Sequence, residues 1–382
     1  MFDRVFHPAG LAALTVLALS PMALQARTFT VTQTGDTNDG LCDRSCSLRE
    51  AIMAANQRPG LDVIVLPRGV FKLTLAGADE DLGATGDLDV TGDLALIGRD
   101  PRRSIIDGGG IDRVLDIHEP ASVIIANATV RNGVAAGPSP APGGGIRNQG
   151  RLGLFASIVS GNSAPGFGGA IYSDGAGSVL DLNGSTISGN TAGSGGGGVA
   201  AGGFLGVVNS TFSGNRSLDG FGGGLYLFSA AQAAPINSVT ITGNTSTRGG
   251  GGLYVEVPSA SRTPVLSNSI VAGNSAPRDA DCLGVDLSGG HNLIGQGEGC
   301  PGFSATLEDL TGTAAAPLDP RLDPLGDNGG PTPTHALLAG SPAVDAGRPA
   351  ASGENACARF DQRGVRRHRT DCDIGAFERK TP

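Results

Sequence analysis

Tryptophan is absent from the 382 residues, aromatic residues together make up 4%, and lysine occurs only at Lys72 and Lys380. A core built on large rings is thereby excluded. Positive charge is also scarce: the formal net charge is -9 and no basic stripe crosses the middle of the chain, whereas nucleic-acid binding needs a clustered positive face. The densest basic group, Arg363, Arg366, Arg367 and Arg369, is expected to be a solvated loop. No CxxC is present and the five histidines are scattered, which disfavours zinc. Glycine is what the chain has in excess, with 63 residues of 382 against a usual ~7%. These glycines follow no Gly-X-Y period, and a hydrophobic content of 39% is too high for a disordered chain.

Residues 1–26 have the layout of a secretory signal: Arg4, an apolar stretch over residues 10–19, Pro21, and a small-residue cleavage site at Ala26. Ten apolar residues are too few to span a bilayer as a helix, which takes ~20. No later segment is long and apolar enough to do so. The chain is therefore expected to be exported, to the periplasm, the cell surface or the exterior. The six cysteines agree with an oxidising destination and fall in three local pairs, Cys42 with Cys46, Cys282 with Cys300, and Cys357 with Cys372. Six cysteines allow 15 pairings, and proximity favours this set. Closing the last loop stabilises the fold by roughly 3 kcal/mol.

The middle of the chain is a repeat. Gly-Asn pairs end at Asn162, Asn190, Asn215, Asn244 and Asn274, at steps of 28, 25, 29 and 30 residues. A second marker, two or three glycines before an aliphatic residue, keeps phase with the first and ends at Ile146, Ile171, Val199, Leu225 and Leu253. A sustained period of this size signals a solenoid, whose units bury their apolar faces only by stacking. Within one unit, short strands read at residues 170–172, 179–182 and 186–188, separated by glycine-rich turns. No unit has a helical apolar period. The expected fold is all-β, a right-handed parallel β-helix of about nine coils and a length of ~43 Å at ~4.8 Å per coil. The five asparagines are expected to form a hydrogen-bonded ladder along the rod, each tolerating the left-handed backbone of its turn.

Ahead of the repeat, residues 46–56 read as an amphipathic helix with a Ser47/Glu50 capping box. Such a helix suits a cap over the open end of the apolar column, and Arg49 and Glu50 are expected to be structural rather than catalytic. The segment DTNDGLCD at residues 36–43 with CSLREAIMAAN at 46–56 resembles the CSLREA-domain proteins of bacteria. DNGGPTPTHALLAGSPAVDAG at 327–347, DQRG at 361–364 and CDIGAFE at 372–378 resemble the choice-of-anchor Q region that accompanies exported right-handed β-helix proteins. A looser likeness is to chlamydial polymorphic outer-membrane proteins, whose repeats pair GGA plus an aliphatic with FxxN, as at residues 168–171 and 212–215. These resemblances imply a β-helix and bring no catalytic residue with them. The division expected is a signal at 1–26, a CSLREA cap at 27–75, coils at 76–300 and a choice-of-anchor Q-like region at 301–382.

Function is read as a repetitive binding surface, adhesin-like or glycan-binding, with no catalytic set. The alternative is a polysaccharide lyase or glycoside hydrolase acting on acidic polysaccharide, by analogy with pectate-lyase-like β-helices. That chemistry needs paired carboxylates, or calcium with a basic residue. Residues 121–277 contain only Asp174, Asp181, Asp219 and Glu256 as acids, with Arg216 and Arg248 as candidate bases. For structural calcium, oxygen-rich turns lie at Asp36, Asn38 and Asp39, at Asp87 and Asp89, and at Asp319, Asp323, Asp327 and Asn328, with Asp323 and Asp327 the favoured pair. No other cofactor is expected.

Overall fold

The computed structural model describes residues 26–380 apart from 79, 138, 176, 229–232, 257–263, 350–352 and 354. The expected export signal lies outside the described residues, except for Ala26. From Asp62 to Ile294 the chain winds through three sheets, visiting them in the same order on each turn. The first sheet has ten strands, from Thr28–Thr30 to Ser288–Gly290. The second has eight, from Leu88–Val90 to Cys282–Leu283, and the third has ten, from Gly69–Lys72 to Leu310–Thr311. Neighbouring strands pair in parallel. This is a parallel β-helix, with ten rungs in two sheets where nine coils were expected.

One unit shows how the sequence builds a coil. Its strands are Ile171–Ser173, Val179–Asn183 and Thr186–Ser188, within a residue of those expected. In Val179–Asn183, Leu180 and Leu182 point inward and Asp181 outward, the period-2 alternation of a half-buried strand. Register then stacks like on like. Leu152, Leu180 and Leu205 stand in line in the first sheet, and Val159, Ile187, Phe212 and Ile241 in the third. All are buried, and each such side chain contributes about 1.5–3 kcal/mol. One apolar cluster runs from the cap helix to the last coils.

The glycine triplets are structural. Gly196 has φ +61°, where L side chains are strained, and a Cβ on Gly197 would lie 2.5 Å from the Arg216 backbone N and O of the next coil. The asparagine ladder runs inside the turns. Asn162, Asn190, Asn215 and Asn244 each donate through Nδ2 to Oδ1 of the next asparagine, at 2.9–3.0 Å. The last amide, Asn274, donates to Asp281 Oδ1 at 2.9 Å. The backbone reason expected for these residues is corrected: the preceding glycine, not the asparagine, takes the positive φ, from +63° at Gly189 to +72° at Gly273. With the strain taken by glycine, the asparagine is free to turn its amide inward.

The helix is Leu48–Asn56, N-capped by Ser47 with the capping box formed. Arg49 is buried and holds Asp36 at 2.7 Å and the carbonyls of Gly83, Gly86 and Asp87 at 2.9–3.0 Å. Glu50 accepts from Ser47 N–H at 2.7 Å and Thr37 Oγ1 at 2.9 Å. Arg49 thus ties the cap helix to the first coils, and Glu50 holds the loop that precedes the helix. Disulfides join Cys42 to Cys46, Cys282 to Cys300 and Cys357 to Cys372.

Beyond Thr311 the chain turns back and lies along the outer side of the third sheet. Ala376 N–H donates to Thr240 Oγ1 at 3.0 Å, Gln362 Nε2 donates to Thr186 Oγ1 at 2.8 Å, and Gln362 Oε1 accepts from Thr211 Oγ1 at 2.6 Å. Two of the four arginines expected in a solvated loop are therefore internal. Arg363 pairs with Asp361 at 2.7 Å and stands over the Phe377 ring, and Arg367 is buried against Glu378 at 3.0 Å. The sequence reads as a run of charge because the acids that answer it lie up to 11 residues away along the chain.

Candidate binding face

The third sheet is covered by the returning tail over its middle strands, whereas the outward side of the second carries chemistry of its own. In each of its strands the central residue points away from the core, and register sets these residues in one column: Asp89, Asp116, Arg147, Tyr172, Ala200, Tyr226, Tyr254 and Leu283. All three tyrosines of the protein stand in this column. Phe167 and Phe221 flank it from the turns that enter the sheet, and Phe228 from the residue that leaves it. These six rings form a continuous layer. Phe228 stacks on Tyr172 at 5.9 Å, Tyr226 meets Tyr254 at 5.1 Å, and Phe221 stacks on Tyr254 at 4.5 Å. All six are half-buried, leaving ring surface open to a partner.

Polar groups hold the rings and edge the face. Tyr172 donates to Asp174 Oδ2 at 2.9 Å, and Tyr226 to Glu256 Oε2 at 2.8 Å. Burial, then the adjacent carboxylate, pushes each phenol well above its ordinary range, so both stay neutral donors. Arg278 lies over Phe221 at 5.9 Å. A Cβ on Gly202 would stand 2.6 Å from the Phe228 ring and 2.7 Å from Asp174 Oδ1. The glycine therefore makes room for the ring to lie flat.

At the N-terminal end the column turns acidic. Asp89 Oδ1 meets His118 Nε2 at 2.8 Å, Asp116 Oδ2 accepts from Arg147 at 3.1 Å, and Asp87 pairs with Arg113 at 2.5 Å. Burial pushes Asp87 up to about 8, against the pull of Arg113, and raises Asp116 as well. The hydrogen bond to Asp89 raises His118.

The residues considered for lyase or hydrolase chemistry do not assemble. Asp174 leaves the second sheet, at a position aligned with Gly202, Phe228 and Glu256, whereas Asp219 follows the short strand Arg216–Ser217 at another station of the coil. Asp219 instead pairs with Arg248 at 2.9 Å, both exposed, and Arg216 is exposed. Asp327 carries the Arg102 guanidinium on its carboxylate, while Asp323 is exposed and offers its backbone carbonyl to His335 at 2.7 Å. Asp36 is taken by Arg49. Among the described residues, the carboxylate and imidazole group with metal-ligand spacing is Asp81, Asp89 and His118.

The aromatic face went unread in the sequence although its signal is there. Each tyrosine directly follows the aliphatic residue of a glycine marker, in GGAIY, GGGLY and GGGLY. The marker set the phase of the repeat, and the residue after it was the outward one.

The chain is similar at residues 156–174 and 238–256 to the Chlamydia polymorphic membrane protein repeat. Each matched stretch runs from a third-sheet strand through the ladder asparagine and the glycine marker to the next second-sheet strand, ending at Asp174 and Glu256. Neither a curated protein nor a solved structure matches the chain. The repeat and the solenoid fit a repetitive surface protein, and the three disulfides fit an exported one. Among the described residues no helix is long and apolar enough to cross a membrane.

Proposed function

We propose that the protein is an exported, CSLREA-type β-helix that binds an extended glycan along the outward side of its second sheet. The observation that carries this reading is the six-ring layer. A chain with only 13 Phe and 3 Tyr places all its tyrosines and three phenylalanines on one half-exposed face. Exposed apolar patches of this kind mark interaction sites, and ring faces attract the partly positive C–H groups of a sugar through the quadrupole. Asp174, Glu256, Arg147 and Arg278 around the rings supply acceptors and donors for hydroxyl groups. A ladder of equivalent coils at ~4.8 Å spacing presents these groups along a line, which suits a polymer better than a compact ligand.

The test is a glycan panel incubated with the mature protein, scored for retention and for the absorbance of unsaturated sugar. Retention without product is expected, with Tyr226→Ala and Tyr254→Ala each weakening it about tenfold while the melting temperature changes little. Retention unaffected by both substitutions would refute the face as the binding site. Unsaturated product would move the protein to the lyases.

A further inference from the structure

The acidic end of the second sheet has a different chemistry from the ring layer. Asp89 and Asp116 lie directly opposite each other in parallel register, and His118 follows Asp116 by two residues on the same outward side. Asp89 and Asp116 are 1% and 3% exposed. Two buried carboxylates side by side repel unless something positive answers them. Arg147 answers Asp116, and Arg113 answers Asp87. Among the described residues the group that answers Asp89 from the positive side is His118, and ligand atoms of Asp89, His118 and the exposed Asp81 lie within 4.8 Å of one another.

A second, independent observation comes from Asp116. Its Oδ1 is buried and has no hydrogen-bond partner among the described residues. Buried polar atoms are nearly always paired, and one that is not calls for an unseen partner. The oxygen belongs to a side chain set between Asp89 and Arg147 on the outward face, the side that Asp89 and His118 also occupy. The loop that supplies Asp81 is held in place from below. Gly83 N–H donates to Asp89 Oδ2 at 2.9 Å, and the buried Arg49 of the cap helix binds the carbonyls of Gly83, Gly86 and Asp87. The first coils and the cap thus hold the loop in a fixed place.

We infer that Asp81, Asp89 and His118, beside the unpartnered oxygen of Asp116, form a binding site for a first-row transition-metal dication such as Zn2+ or Mn2+. The imidazole decides against calcium, which takes oxygen ligands alone. The inference goes beyond glycan binding and does not depend on it.

The test is isothermal titration of chelator-treated mature protein with Zn2+, Mn2+ and Ca2+, without glycan, together with anomalous diffraction from crystals grown in Mn2+ or Zn2+. One transition-metal ion per chain is expected, with an anomalous peak between Asp89 and His118. His118→Gln and Asp81→Asn, both at accessible positions, are each expected to weaken binding at least tenfold, while Asp327→Asn, at the far Arg102 pair, leaves it unchanged. Asp89→Asn should abolish binding, and a far-ultraviolet spectrum shows whether that variant has kept its fold. No binding tighter than millimolar, binding of Ca2+ alone, or binding indifferent to His118→Gln and Asp81→Asn would overturn the assignment.

Discussion

Replacing Asn215 with alanine removes one rung of the internal ladder, and its effect follows from who loses a partner. Asn215 Oδ1 accepts from the backbone N–H of Asn190 at 3.1 Å and from its Nδ2 at 2.9 Å. Asn215 Nδ2 donates to the Ile187 carbonyl and to Asn244 Oδ1, both at 2.9 Å. After truncation the Asn190 amide keeps the Val159 and Ser188 carbonyls, and Asn244 Oδ1 keeps the Asn215 N–H. The Asn190 backbone N–H keeps nothing. An orphaned buried donor costs about 1–3 kcal/mol, and the small void adds roughly 1, so a loss of about 2–4 kcal/mol is expected. Coils of a solenoid need not unfold together, so urea unfolding should be followed by midpoint and slope, with limited proteolysis to locate the opened coil. Asn215→Asp supplies the decisive contrast. It keeps an acceptor for Asn190 but turns oxygen toward the Ile187 carbonyl and Asn244 Oδ1, so at pH 7 it should be at least as damaging as alanine. A carboxylate is tolerated at Asp281 because the end of the ladder only accepts. An unchanged midpoint for Asn215→Ala, or an aspartate milder than alanine, would refute the ladder as a source of stability.

Gly202→Ala should displace the Phe228 ring and lower glycan retention with a melting temperature within a few degrees of wild type, because the added Cβ meets a ring edge and a carboxylate tip, both of which can move. Gly197→Ala should unfold the coil, because there the Cβ meets backbone; equal melting temperatures for the two variants would contradict the distinction. His335 bonds Ser213 Oγ at 2.9 Å and the Asp323 carbonyl, and burial holds its pKa below the usual 6.5. The unfolded chain therefore binds a proton below about pH 6.5 that the folded chain refuses, and stability falls as pH falls through that range. His335→Gln should lose less melting temperature than wild type between pH 7.5 and 5.5, and an identical loss would show that the tail is not acid-sensitive at this contact.

The period was legible because stacking forces it into the sequence. Each coil must repeat its glycine turn and its inward aliphatics at the same stations, so the markers at Asn162 to Asn274 and Ile146 to Leu253 stay in phase. The cap was legible for a local reason, since a capping box is written within four residues. What could not be read depends on register between coils. Asp174 and Asp219 are 45 residues apart, and only the strand pairings show that they occupy different stations. The tail hid its ion pairs likewise, because Arg367 meets Glu378 only once the chain has folded back on itself. The serine rungs at the corner between the first and third sheets escaped too. Ser157 N–H donates to Ser185 Oγ and Ser185 N–H to Ser210 Oγ, both at 3.2 Å. Serine in a glycine-rich turn looks like any other turn residue.

The placement of the aromatic residues follows from the same geometry and bears on how such chains are to be read. An inward station of a β-helix sees its own equivalents ~4.8 Å above and below, so the side chains there pack in register with those of the next coils. Phe212 stands there between Ile187 and Ile241. The interior column is filled mainly by Leu, Ile, Val and Ala. Rings at Tyr172, Tyr226 and Tyr254, flanked by Phe167, Phe221 and Phe228, are instead half-exposed on the outward side. In a chain so poor in aromatic residues, their gathering on one outward face is the observation on which the proposed binding role rests.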